Sequence, residues 1–176
     1  IGENSTIGHN CFLNRCKIGK NVFIKPNTII FGATIGDNTT VGPFARIRPG
    51  TKIHSSCNIG NFVEIKNSII GDNTKINHLS YIGDSSLGKN VNIGAGAITC
   101  NYDGVNKNKT IVKDNSFIGS GSMLVAPVII GKGSFIAAGS TITKDTDGAG
   151  HLTIARSKQM TIRNWKTRAN NKPKKK

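Results

Sequence analysis

Large aliphatic residues recur along this chain with a step of six. They fall at Ile1, Ile7, Leu13, Ile18, Ile24, Ile30, Ile35, Val41, Ile47, Ile53, Ile59, Ile65, Ile70, Ile76, Ile82, Leu87, Ile93 and Thr99, and again at Val112, Ile118, Leu124, Ile130, Ile136 and Ile142. Of these 24 positions, 23 are aliphatic and 12 are followed directly by Gly, in a chain that is only 36% hydrophobic. A helix repeats its apolar face about every 3.6 residues and a plain strand about every 2, so neither accounts for this beat. Short strands meeting at corners do, and self-similarity at a fixed period marks a solenoid. Three sides close a coil of 18 residues, shortened to 17 where the step is five, as from 13 to 18 or 65 to 70. Three beats per coil predict eight coils. Parallel rungs roughly 4.8 Å apart would make an all-β triangular prism on the order of 40 Å tall. The glycines that follow the beat are expected at bends needing φ > 0, and the many Asn and Asp residues near corners suit the same geometry.

The beat breaks once. From Thr99 to Val112 the step is 13 residues, so about seven leave the coil as a loop beginning Cys100-Asn101-Tyr102-Asp103-Gly104. A long excursion from a strict repeat is either a tolerated surface insertion or a functional loop. With the beat as a ruler, His78, Ala95, Ser120 and Ala138 each lie two residues past a beat on successive coils and are expected to form a vertical column. A histidine at the foot of a line of small residues, with the loop emerging beside it, suggests a groove for a long narrow ligand. Arg48 and Lys66, each one past a beat and 18 residues apart, form a second column capped by Gly83, which leaves room above them. Stacked like charges repel, and a bound anion would relieve them; two solvated cations splayed apart are the alternative. Glu64 is expected on the same side as His78, polarising it, or else paired with Arg46.

Charge changes the picture less than its total suggests. The net charge is +15, but nine of the 24 Lys and Arg residues lie between Arg156 and Lys176, leaving +6 for the rest. The tail reads as a solvated, disordered end, and aromatics at 6% supply no platform for nucleic-acid bases. Cys11, Cys16, Cys57 and Cys100 lack CxxC spacing, so a reduced, cytoplasmic protein without structural metal is expected. His9, His54 and His151 share no column with His78, which argues against a three-histidine zinc site. No apolar run is long enough to span a membrane. The chain begins at a beat residue without Met, and a piece of something longer is expected.

Specific motifs sharpen this reading. Gly42-Pro43-Phe44-Ala45-Arg46-Ile47-Arg48-Pro49-Gly50, Gly60-Asn61-Phe62-Val63-Glu64, His78-Leu79-Ser80-Tyr81, Asn92-Ile93-Gly94-Ala95-Gly96 and Thr99-Cys100-Asn101-Tyr102-Asp103-Gly104 resemble the C-terminal domain of bacterial bifunctional N-acetylglucosamine-1-phosphate uridyltransferase/glucosamine-1-phosphate acetyltransferases, over residues 1 to about 156. The resemblance implies a left-handed parallel β-helix, a homotrimer and active sites between subunits. The β-helix would occupy residues 1–145 with an inserted loop at 100–111, and an arm and basic tail would follow over 146–176. The family's nucleotidyltransferase domain has no counterpart in this chain. Carried over by motif, His78 is the general base, and Arg48, Lys66, Tyr81 and Asn92 hold the sugar phosphate. Ala95, Asn101, Tyr102, Lys107, Ser120, Ala138 and Arg156 contact acetyl-CoA. Asn77 stands where the family usually has Gly, and Ser80 replaces a common Thr.

The implied chemistry is acetyl transfer from acetyl-CoA to the amino group of glucosamine 1-phosphate, without a metal. An imidazole is the side chain that changes charge around neutral pH and can take the proton of the attacking amine. Cys100 has no base visible in sequence, so direct attack is expected rather than an acetyl-enzyme. Other readings are a non-catalytic trimerising scaffold, an acyltransferase for another amino sugar, and a basic nucleic-acid binder.

Overall fold

The computed structural model describes residues 1–163 and 165; the basic tail beyond them lies outside the described residues. The chain winds into a parallel β-solenoid whose strands form three parallel sheets of nine, eight and seven strands. The first sheet runs from Thr6–Ile7 through Asn58–Asn61, Lys75–His78 and Asn92–Ile93 to Leu152–Thr153. The second includes Arg46–Ile47, Glu64–Lys66, Tyr81–Gly83 and Ile98–Cys100, and the third includes Lys52–Ile53, Ile69–Ile70 and Thr110–Val112. Successive turns visit the sheets in that order. The beat residues face one another on successive rungs, as in Ile59 against Ile76 and Ile76 against Ile93. From Ile24 to Ile142 all of them are buried. Each contributes roughly 1.5–3 kcal/mol by leaving water.

The expected eight coils fall one rung short in the first sheet. Leu152–Thr153 adds a ninth strand against Phe135–Ile136, although its segment carries no beat and lies past residue 145. Its inward position is taken by half-buried Thr153, which an aliphatic search passes over.

A second inward set lies two residues before each beat and is uniformly small: Val22, Thr28, Ala33, Thr39, Ala45, Thr51, Cys57, Val63, Ser68, Thr74, Ser80 and onward to Ser140, all buried. Most of its hydroxyls are satisfied, largely by neighbouring turns, while those of Thr28 and Thr110 have no partner among the described residues. Thr74 Oγ1 donates to the Gly88 carbonyl at 2.8 Å and accepts from Val91 N–H at 3.1 Å. A buried hydroxyl is tolerated on such terms, whereas an unpaired one costs free energy.

The glycines after the beat do not serve the purpose expected of them. Among the twelve only Gly42 has φ > 0. The left-handed residues sit three before the beat and comprise mainly nine asparagines and Asp84, with glycines such as Gly96, Gly121 and Gly139. The post-beat glycines are instead required by contact: a Cβ on Gly71 would lie 2.5 Å from the Gly88 backbone, and one on Gly94 would lie 2.5 Å from Ser120 N. Bulky Phe44, Phe62 and Leu79 also adopt φ near +50° at the corner between the first two sheets, and the two phenyl rings stack 5.4 Å apart.

These two kinds of glycine make opposite predictions. Gly71→Ala has an allowed φ but no room, and is expected to lower unfolding free energy by at least about 2 kcal/mol. Gly139→Asn has φ +71° and nothing within 4 Å, and is expected to change stability by less than about 1 kcal/mol, since Asn tolerates that region. Urea unfolding of the two variants checks the contrast.

Candidate active site

The twelve residues singled out from sequence fall into two groups at two corners of the prism. The first group occupies the first sheet and the corner leading to the second. Ile76, Ile93, Ile118 and Ile136 are in register, which stacks His78, Ala95, Ser120 and Ala138 in the expected column. Backbone bonds bind it directly: Gly96 N–H donates to the His78 carbonyl, Gly121 N–H to Ala95 and Gly139 N–H to Ser120. Arg156 belongs here as well, with its Nη1 donating to the Ala138 carbonyl at 2.7 Å. Asn92 stands outward on the same sheet between Lys75 and Phe117.

His78 is exposed, and its Nδ1 lies 3.2 Å from Asn61 Oδ1 on the preceding turn. With the proton on Nδ1, Asn61 accepts it and Nε2 is left bare as a proton acceptor. Below the ring, Ser80 Oγ donates to the His78 carbonyl at 2.7 Å, so the Ser found in place of Thr still anchors the segment. Asn61 carries a sequence signal of its own: it is two residues past the beat at Ile59, in the same column as His78.

The second group occupies the corner between the second and third sheets. Arg48, Lys66 and Gly83 stack as expected, because Ile47, Ile65 and Ile82 are in register. The like charges are relieved from within the chain: Arg48 Nη1 meets Glu64 at 2.8 Å and Lys66 Nζ meets Asp84 at 3.1 Å. The space above Gly83 is not open either. The Tyr81 phenol lies over it, so a Cβ there would collide with the ring. Glu64 is on the second sheet, paired with Arg48 and 3.9 Å from Arg46, and does not polarise His78. Strand alternation turns it to the outer face of that sheet, away from the His78 corner.

The ejected loop joins this second group, not the first. It leaves after Ile98–Cys100 and re-enters at Thr110–Val112, replacing the corner between the second and third sheets, while the histidine column runs along the preceding corner. Asn101 is 8% exposed and donates to Asp84. Tyr102 is exposed and bridges Lys107, and Asp103 Oδ1 accepts the N–H groups of Val105 and Asn106. Those bonds, that from Asn106 foremost, hold the Asp103 carboxyl below the usual carboxylate range. Burial pushes Asp84 up, but Asn67, Asn101 and Lys66 together pull it below that range. Beneath the loop a cleft of about 600 Å³ opens, lined in part by Lys52, Asn67, Asp84, Lys107 and Lys109.

The four cysteines are free. Burial raises the Cys100 thiol, which makes it a poor nucleophile, and pushes Cys57 to about 11. Among the described residues, no helix is long and apolar enough to cross a membrane.

The bacterial transferase hexapeptide model (six repeats) matches residues 32–67 and 109–144, and the hexapeptide repeat of succinyl-transferase matches residues 15–43. The chain belongs to the hexapeptide-repeat transferases. Within that family, it is 54% identical over 165 residues to the bifunctional protein GlmU of Ruthia magnifica subsp. Calyptogena magnifica, and 52% identical to that of Marinobacter nauticus. Each match covers 94% of this chain and 36% of the relative, and falls in its C-terminal part. Thus the chain spans about a third of the length of these relatives. Its fold is that of LpxA, a UDP-N-acetylglucosamine acyltransferase from Bacteroides fragilis, at a TM-score of 0.71 and 20% identity over 84% of this chain and 64% of that one. It also matches GDP-perosamine N-acetyl transferase from Caulobacter crescentus, solved as a histidine-to-alanine mutant in complex with CoA and GDP-perosamine, at a TM-score of 0.59 and 21% identity over 73% of this chain and 66% of that one.

Because Cys57 is buried, iodoacetamide at neutral pH is expected to leave it unmodified in the native protein and to label it once urea opens the coil. Mass spectrometry of the Cys57 peptide reads the result, and rapid native labelling would contradict its burial.

Proposed function

We propose that this domain transfers the acetyl group of acetyl-CoA to the 2-amino group of glucosamine 1-phosphate, giving N-acetylglucosamine 1-phosphate. The observation that carries the reading is His78, with Nδ1 engaged by Asn61, at the foot of a column of small residues. The high identity to bifunctional GlmU proteins supports it.

In the proposed reaction the amine of the sugar attacks the thioester carbonyl while His78 Nε2 takes its proton. The tetrahedral intermediate collapses, the carbon–sulfur bond breaks, and the proton passes to the departing CoA thiolate. Arg48, Lys66 and Tyr81 hold the sugar phosphate, exchanging part of the Glu64 and Asp84 contacts for phosphate oxygens, and Asn92 contacts the sugar; this aims the amine. Ala95, Ser120 and Ala138 leave a channel for the pantetheine arm, with Arg156 at its far end. Asn101, Tyr102 and Lys107 bring the loop onto the same ligand. Attack is direct, because the one thiol beside the loop, Cys100, is held protonated by burial.

One prism cannot close this site. His78 and the Arg48–Lys66 pair stand at opposite edges of the second sheet, separated by the run from His78 to Gly83. That run turns a corner at Leu79 and then crosses the second sheet from edge to edge, so one amino sugar would have to bridge a whole side of the prism. A closed ring of three copies sets the histidine corner of one against the cationic corner of the next. We therefore propose a homotrimer with one site at each of its three interfaces, working in the cytoplasm, where acetyl-CoA is available.

His78→Ala is expected to lower turnover at least about 100-fold, measured by thiol release, while the assembly stays trimeric by light scattering. Retained turnover would remove His78 as the base. Arg48→Ala should raise KM for glucosamine 1-phosphate more than for acetyl-CoA.

Mixing tests the shared site. Refolding His78→Ala and Lys66→Ala chains together in equal amounts should restore about a quarter of wild-type activity, because random three-fold assembly leaves one interface in four intact. No recovery would place both groups in one copy.

A further inference from the structure

Thr99 is the one polar residue on the beat, and it sits directly before the expelled loop. The ladder explains it. A residue one past the beat normally donates its N–H to the backbone of the next turn, as Arg48 does to the Ile65 carbonyl at 2.8 Å. Between Tyr81–Gly83 and Ile98–Cys100 only Tyr81 and Ile98 are in register. Gly83 N–H is buried there and donates instead to Thr99 Oγ1 at 2.8 Å, and that hydroxyl donates back to the Gly83 carbonyl at 3.2 Å. A side chain thus repairs the ladder where the loop leaves.

The repair fixes the residue that follows. Asp84 turns the corner at φ +48°, with its own N–H on the Lys66 carbonyl. Its carboxylate accepts from Lys66 Nζ at 3.1 Å, from Asn67 Nδ2 at 2.7 Å and from Asn101 Nδ2. The Lys66 and Asp84 side chains are only 19% and 12% exposed. Asn101 in turn accepts the N–H of Asn108 at 2.7 Å, so the far limb of the loop is tied to the same point. Charge-assisted bonds at this degree of burial are among the stronger and more directional in proteins.

We propose that Asp84 is a positioning residue, held in place by Thr99, that fixes Lys66 and the root of the ejected loop to one carboxylate. This rests on the acetyl-transfer reading, in which Lys66 serves the sugar phosphate and Asn101 the acetyl donor. A lysine ammonium on a four-carbon stem has three donors and much rotamer freedom. With Asp84 holding one donor, the other two face a fixed direction. The loop approaches the acetyl donor from a root fixed by the same group, so the two binding elements keep a constant separation.

Asp84→Asn keeps the left-handed corner, which Asn adopts readily, and removes the charge. It is expected to raise KM about tenfold for both glucosamine 1-phosphate and acetyl-CoA, with kcat within about threefold of wild type. Thr99→Val should act in the same direction and Thr99→Ser should resemble wild type. A merely structural role would lower the melting temperature of Asp84→Asn without moving either KM. A carboxylate that only competes with the phosphate would, when removed, lower KM for the sugar. Either result overturns the proposal. A second measurement needs no turnover: in Asp84→Asn and Thr99→Val, trypsin should nick the loop after Lys107 or Lys109 faster while the solenoid body survives. An unchanged nicking rate contradicts the anchoring even if wild-type protein shows no acetyl transfer, whereas absent wild-type turnover with faster nicking removes the acetyl-transfer reading alone.

Discussion

The structure depends on one constraint, the approach of successive turns to backbone contact. Sheet spacing puts each turn about 4.8 Å from the next, and at the glycines directly after the beat that distance leaves no volume for a side chain. The beat isoleucines fill the column between the three sheets, but they can stack only because the residue after them is so often glycine and the residue two before them is small. Gly60 shows the limit, since a Cβ there would fall on the Asn77 carbonyl. The packing is therefore as much a matter of what is absent at the corners as of what is present in the core. Repetition makes the arrangement additive, each turn stabilised by its neighbours.

That regularity is also what builds chemistry. A fixed rise converts sequence spacing into vertical alignment, so that His78, Ala95, Ser120 and Ala138 share a line although 60 residues separate the first from the last. The same rule aligns Arg48 with Lys66 along a different edge. Because a prism keeps its edges apart, the two lines do not meet within one chain. The proposed chemistry is consequently a property of an assembly, and the Glu64 and Asp84 carboxylates keep the cationic line ordered in a single copy. Side chains held by several partners in this way lose less freedom when a ligand arrives.

Much of this is legible in the sequence. The period yields the coil, its three-sided shape and both columns, because burial of one aliphatic residue per side is a strong and repeated demand. What escapes has weaker or ambiguous signals. The small inward set is hidden because Ser68, Thr74 or Ser134 read as turn residues, while their burial depends on bonds to the next turn that no single window reveals. The glycines after the beat look like bends, yet contact with the next turn, visible only in three dimensions, is what selects them. Spacing draws the loop to the histidine column because it counts residues along a coil and does not say which corner they occupy. The relief of Arg48 and Lys66 by acids is obscure for a similar reason: Glu64 precedes Lys66 by two residues yet pairs with the turn before, and Asp84 comes from the turn after. Thr99 carries the clearest unused signal, a lone hydroxyl on an otherwise aliphatic beat.

The central claim is that an imidazole on one corner and a cationic pair on another serve a single substrate across copies of the chain. A crystal structure of the assembled protein with glucosamine 1-phosphate and CoA tests it most directly. The account predicts the phosphate on Arg48 and Lys66 of one copy and the amino group within about 3.5 Å of His78 Nε2 of the next. A sugar bound wholly by one copy, or an amino group remote from every His78, would contradict it.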